Sequence, residues 1–354
     1  MPARNEAPLT FKWMYEDSEL DTPVTLRDKL DRVLGPQRLW LHIVLFIAAY
    51  FTTIVAGVQW RGIGDVFDLT NLHFGFTYAT FIMLFLTSHE FGHFIAARIH
   101  GVDATLPFYI PFPGFAYGSI NFGTLGAVIR TRSRVPSNKI MFDIGVAGPI
   151  VGFIMCIITL AIGFATLPGI EYLQHIHPGY PNELHQPGVI ELSFGKTLFY
   201  TFMEKVFANS HGYVPPMTEV YHYPMLCAGW FGLFVTALNL LPVGQLDGGH
   251  LTYTLLGKPL HKRLGQFTSL VLFSISLPAI LVAYWDGAPS WLRLISVQGG
   301  ETWFLWAIIT TFVIRFRHPP TGDEGPLDLR RKIIGYITIG IFILCFTPSP
   351  LVMQ

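Results

Sequence analysis

The 354-residue chain is 51% apolar, 13% charged and formally neutral, with a mean hydropathy of +0.45. A soluble domain carries roughly 25% charged residues because its surface must face water, so this composition excludes a soluble globule as well as disorder, collagen and coiled coil. Neutral charge offers no footprint for nucleic acid, and Cys156, Cys227 and Cys345, each inside an apolar run, suggest neither a disulfide framework nor a thiolate cluster.

In chain order, residues 1–38 read as a mixed-charge soluble arm with no signal-peptide pattern and with helical spacing around Leu26–Leu34. A membrane-crossing helix needs roughly 20 apolar residues. Candidate spans follow at 39–59, 74–100, 139–167, 223–243, 264–285, 300–316 and 332–348. Between the second and third, Ala104–Ile129 is uncharged but broken by Pro107, Pro111, Pro113, Gly114, Gly118, Gly123 and Gly126. A helix with those breakers would leave unpaired backbone groups in lipid, each costing several kcal/mol. The outer loop, 168–222, contains His175, His177, His185, His211 and His222 with five acidic residues; a second metal or a pH sensor is conceivable there, but solvated loop histidines are commoner and the group reads as solvated. Within it, Phe194, Leu198, Phe199, Phe202 and Val206 recur at helical spacing between Lys196 and Lys205, so Phe194–Phe207 reads as a helix in the outer interface. Residues 349–354 are a short tail.

Lys and Arg set the direction of the spans. If the arm is cytoplasmic and Ala104–Ile129 enters and returns on that face, 19 of the 23 basic residues are cytoplasmic. If that segment crossed, Arg98 would be separated from Arg130, Arg132 and Arg134 and the bias would collapse. The expected fold is therefore an all-α polytopic membrane protein of about seven transmembrane helices, with a re-entrant β-hairpin-like loop on the cytoplasmic side.

Ionisable residues in the spans are expensive unless paired or functional. The second span reads Leu86-Thr-Ser-His89-Glu90-Phe-Gly-His93. His89 and His93, four apart, project from one helix face and can chelate a single ion, while Glu90 can reach a metal-bound water without ligating. Zinc suits imidazole ligands and a site with one open position, but a catalytic zinc needs a third protein ligand. The fourth span ends in Asn239-Leu-Leu-Pro-Val-Gly-Gln-Leu-Asp247-Gly-Gly-His250. Asp-Gly-Gly alone reads as a turn or helix cap. Both spans run outward to inward, however, which brings Asp247 to the level of the histidines. His250 is a competing ligand.

His89-Glu-Phe-Gly-His93 and the later Asn239-Leu-Leu-Pro-Val-Gly-Gln-Leu-Asp247-Gly resemble the site-2 protease family of intramembrane zinc metalloproteases. Gly145-Val-Ala-Gly148-Pro149 in the third span is similar to a close-packing element of that family. The resemblance covers about residues 74–258, the expected catalytic core of a protease domain over 39–348, and is nearest to the plant and bacterial branch without PDZ or C-terminal regulatory domains. It implies one zinc ion held by His89, His93 and Asp247, with Glu90 as general base and Asn239 assisting the substrate carbonyl or oxyanion. It also implies single-span transmembrane proteins as substrates, the lipid bilayer as surroundings, and a bacterial inner (plasma) membrane, in which the charge bias puts the N-terminus on the cytoplasmic side.

An unwound substrate needs backbone partners, and Asn121-Phe122-Gly123-Thr-Leu-Gly126-Ala-Val-Ile129 could offer an edge for strand addition, its glycines permitting close approach. That loop could equally only plug the inner mouth. A non-enzymatic transporter or scaffold with a structural zinc is the rival reading, and a zinc enzyme acting on lipid or soluble peptide is a weaker one. Glu90 separates the first two, because a structural site needs no base.

Overall fold

Leu39 to Gln59 contains no charged residue and no proline, so the backbone closes its own hydrogen bonds, and helix α1 spans Leu39–Arg61 before Gly62 ends it in the left-handed region. The computed structural model describes residues 37–353 apart from 63–64, 67, 115–120, 182–191, 211 and 297–299. Leu26–Leu34 lies outside the described residues, as do His185 and His211.

A 3-10 turn, Leu69–Gly75, leads into α2, Phe76–Ile99, and the Asp68 carboxylate caps that turn by accepting from the Thr70 amide at 2.9 Å. Strands β1, Phe108–Pro111, and β2, Thr124–Val128, pair antiparallel with Phe108 opposite Val128 and Tyr109 opposite Ala127, and an irregularity precedes Pro111 opposite Thr124. Helix α3, Asn138–Ala165, starts at Ser137, whose hydroxyl accepts from the Ile140 amide.

The connection after α3 contains α4, Glu171–Ile176, then β3, Leu192–Phe194, and α5, Leu198–Phe207. The 3-10 turn Val220–His222 precedes α6, Pro224–Asn239, which has proline in its first turn, where its missing amide costs nothing. After a tight turn come α7, Asp247–Leu256, and α8, Lys258–Tyr284. The chain closes with α9, Ser290–Ile295, then α10, Gly300–Ile308, continued by a π turn to Ile314, α11, Leu329–Cys345, and β4, Leu351–Met353.

Among the described residues, four helices are long and apolar enough to cross a membrane: Leu39–Arg61, Leu69–Ile99, Asn138–Ala165 and Lys258–Tyr284. The other three expected spans are shorter. α6 has 16 residues, a rise of about 24 Å against a hydrocarbon core of about 30 Å. It is enclosed by protein along almost its whole length, including Trp230, Phe231 and Leu233, so its hydrophobicity serves a core position. Segment 300–314 is likewise short, and α11 has 17 residues and opens with Arg330, Arg331 and Lys332.

Two boundaries differ from the sequence reading. Phe194 belongs to β3 and the interfacial helix begins only at Leu198, because Thr197 caps it by accepting from the Tyr200 amide at 3.0 Å. The tail is not free: Leu351–Met353 pairs antiparallel with Leu192–Phe194. The three cysteines are buried and unbridged, as their apolar surroundings imply.

Candidate metal centre

α2 and α3 pack so closely that a side chain would clash outright at one point and press on its neighbour at another. A Cβ on Gly148 would lie 2.1 Å from His93 Nε2, and one on Gly152 would lie 3.0 Å from His89 Nδ1. The helical spacing of four then turns both imidazoles to one side. His93 Nδ1 donates to the Ile144 carbonyl at 2.7 Å, which fixes the ring's orientation and leaves Nε2 as the lone-pair atom of the neutral imidazole.

Asp247 arrives from the far end of the core. α6 stops at Asn239, the chain turns through 240–246, and Asp247 is the first residue of α7. The turn is tight because Gly248 lies against the Leu240 carbonyl, where a Cβ would stand 2.0 Å from the oxygen. The N-cap residue of α7 is Leu246, which has no polar side chain, and the Asp247 carboxylate turns to the histidines instead. Its Oδ2 is 3.2 Å from His89 Nε2 and its Oδ1 is 3.3 Å from His93 Nε2, while the two Nε2 atoms are 3.1 Å apart. Ligating atoms of all three residues thus fall within 4.8 Å of one another. A lone pair on His93 Nε2 facing a carboxylate oxygen sets two acceptors against each other, and a cation between them resolves that conflict. The donor set, two imidazoles and one carboxylate, fits zinc.

Glu90 is buried but lies outside this donor triangle, and its Oε2 accepts from the Ile129 amide at 3.1 Å. Asn239 Nδ2 is 3.3 Å from His89 Nε2. A cavity of about 560 Å³ reaches the triad, with Glu90, Asn239, Gly145 and Ala127–Ile129 in its wall and Arg130 and Arg134 further along it.

His250 also lines the cavity, yet its Nδ1 is 2.6 Å from His318 Nε2, and it is absent from the donor cluster. The His318 ring stacks on Tyr253 at 4.0 Å, and its Nδ1 donates to the Pro319 carbonyl at 2.7 Å. Burial, with the neighbouring His250 ring, pushes His318 down to about 3.

Asn121, Phe122 and Gly123 are not among the cavity-lining residues. The Asn121 carbonyl accepts from Trp60 Nε1 at 2.7 Å, and the Phe122 carbonyl accepts from the Tyr78 hydroxyl at 3.2 Å. Gly123, at φ 80°, rests against the backbone of Thr52 and Thr53. Gly126, at φ 102°, has open space where a Cβ would be. Among the described residues, the two-stranded sheet leaves β2 an edge with no strand beside it. The Ile129 amide and His318 were missed in the sequence: a backbone donor has no residue signature, and His318 lies 68 residues from its partner.

A family model described as peptidase family M50 matches residues 77–283, a stretch that contains every residue of this centre from His89 to Asp247. The chain belongs to that family, the site-2 proteases. This M50 member is 31% identical over 253 residues to "Probable zinc metalloprotease EGY1, chloroplastic" of Oryza sativa subsp. japonica, covering 68% of this chain and 40% of the relative. It is 31% identical over 271 residues to the protein of the same name from Arabidopsis thaliana, covering 75% of this chain and 41% of the relative. "Probable zinc metalloprotease EGY2, chloroplastic" of Oryza sativa subsp. indica is 25% identical over 259 residues, 73% of this chain and 39% of the relative. The chain therefore spans about 40% of the length of these relatives. Their chloroplastic names lend no support to a bacterial inner membrane. No solved structure matches this one.

Proposed function

We propose that this M50 chain is a zinc metalloendopeptidase that cleaves peptide bonds within the transmembrane segments of single-span membrane proteins. The observation that carries the reading is the meeting of His89, His93 and Asp247, from segments more than 150 residues apart, with Glu90 beside them but outside the ligand set. A structural zinc would have no use for such a carboxylate.

His89 Nε2, His93 Nε2 and the Asp247 carboxylate would hold the ion, which when bound supplies Lewis-acid polarisation of the scissile carbonyl. Glu90 Oε2 is tethered to the Ile129 amide, so Oε1 is the atom that takes a proton from the attacking water and returns it to the leaving amine. Asn239 Nδ2 is positioned to donate to the developing oxyanion, a contribution of about 3 kcal/mol in comparable sites.

A transmembrane helix must unwind before its carbonyls are accessible, and the extended segment needs new backbone partners. The free edge of β2 supplies them by strand addition. Asn121, Phe122 and Gly123 anchor the start of that strand on α1 and α2, and Gly126 keeps its face open. Arg130 and Arg134 in the cavity wall belong to the basic side of the charge asymmetry, which supports a cavity mouth that opens on the cytoplasmic face of the bilayer.

The test compares wild type with Glu90→Gln in detergent against a panel of single-span substrates, with cleaved fragments sequenced. The expected result is cuts within the apolar span by wild type only. Cleavage by the glutamine variant at the wild-type rate removes the assigned base, and cuts confined to soluble tails remove the intramembrane reading.

A further inference from the structure

A second group of ligating side chains assembles at the other end of α6. The helix rises about 24 Å, with Asn239 its last residue and His222 two positions before its first. His177, just beyond α4, meets Glu219 and His222 across this end. His177 Nε2 is 3.0 Å from His222 Nε2. The Glu219 carboxylate Oε2 is 3.6 Å from the first and 3.5 Å from the second. The ligating atoms of the three residues all lie within 4.8 Å of one another, the same closeness found at the His89 centre.

The surroundings of His222 are those of a metal ligand. Its Nδ1 donates to the Arg61 carbonyl at 2.8 Å, which fixes the ring and turns the Nε2 lone pair toward the cluster, as the Ile144 carbonyl does for His93. The His222 carbonyl is itself held by the Tyr172 hydroxyl at 2.6 Å. Glu219 and His222 are buried, whereas the His177 side chain is 46% exposed, so the group is walled on one side and open on the other. The nearby Arg61 guanidinium sits over the rings of Phe74 and Tyr172.

Without an ion, two neutral imidazoles this close share a single N–H, and the carboxylate sits beyond good hydrogen-bond range of both. Two imidazoles and one carboxylate match the ligand chemistry of zinc and its divalent neighbours. We propose that His177, Glu219 and His222 form a second divalent-metal site of the zinc class on the outer face, remote from the peptidase centre. Its ion clasps the end of α4 to the turn entering α6, and through Arg61 to the end of α1. Loop histidines that read as solvated in the sequence become ligands because the fold brings residue 177 back over residues 219–222.

The full chain carrying Asp247→Ala and His93→Ala isolates this site, since the other centre has then lost two of its ligands. The protein is stripped with a chelator, dialysed against Zn²⁺ alone, and its zinc counted per chain. One retained zinc is expected, bound at least tenfold more weakly after His177→Ala or Glu219→Gln. His177 is half exposed and glutamine preserves the volume of Glu219, so unchanged far-UV circular dichroism in the metal-free variants separates lost ligation from lost folding. Zn²⁺ should also raise the thermal midpoint of the background protein and leave that of the His177→Ala protein unmoved. A background protein that retains no zinc, or zinc binding indifferent to both substitutions, overturns the site.

Discussion

α3 and α8 are both long, apolar helices, yet 56% of the most hydrophobic window of α3 is buried in protein and only 22% of that of α8. Hydropathy reports where a helix can live and says nothing of which neighbour it faces, since lipid tails are as apolar as leucine. The difference lies in small residues. α3 carries Gly145, Gly148 and Gly152 along one side, against His250, His93 and His89 in turn. α8 has its large side chains Phe267, Leu270 and Phe273 exposed. One helix is a wall of the candidate centre and the other keeps an apolar face open.

The largest separation between them should come from one substitution made in each. Leu160→Ala in α3 removes a fully buried side chain and should cost about 2–5 kcal/mol of stability. Leu270→Ala in α8, where the side chain is 61% exposed, should cost less than about 0.5 kcal/mol. Denaturation in one detergent measures both, and equal costs would erase the contrast. Next comes Gly148→Ala: its Cβ would meet His93 Nε2, and displacing that proposed ligand by roughly 1 Å should lower peptidase activity on the order of 100-fold. Gly152→Ala presses on His89 less closely and should cost roughly 10-fold. Equal rates in all three proteins would show that α3 does not shape the centre.

The smallest effect concerns pH at the His250–His318 contact. The unfolded chain protonates this histidine near the ordinary value of about 6.5, whereas in the fold it is held down to about 3. Its contribution is therefore complete above about 6.5 and is lost as pH falls toward 3. Thermal midpoints taken at pH 7.5 and 5.5 should fall less on acidification in His318→Phe, which keeps the stacking on Tyr253, than in wild type.

Much of the candidate centre was legible because the residues that meet there carry chemistry a membrane span does not tolerate without cause. His89, Glu90 and His93 announce a helix face, and Asp247 joins them once span direction is counted. The close packing expected of Gly145 and Gly148 is visible for the same reason, since a glycine in an apolar helix marks a near neighbour. The span count was less legible. α6 is as hydrophobic as a crossing helix because protein encloses it, and enclosure leaves the same sequence signal as lipid. Contacts made by backbone, such as the Ile129 amide on Glu90, or across long separations, such as His250 with His318 and His177 with His222, depend on the tertiary fold alone. Strand β2 is shorter than the stretch from Asn121 to Ile129 because Trp60 and Tyr78 occupy the carbonyls of its first two residues.

The central claim is that His89, His93 and Asp247 hold one ion while Glu90 stands apart from it. Zinc bound at this centre, counted in a His177→Ala background to exclude the outer face, tests it most directly. Glu90→Gln should retain one zinc per chain and Asp247→Ala should lose it. Full zinc in Asp247→Ala, or loss of zinc in Glu90→Gln, would contradict the assignment.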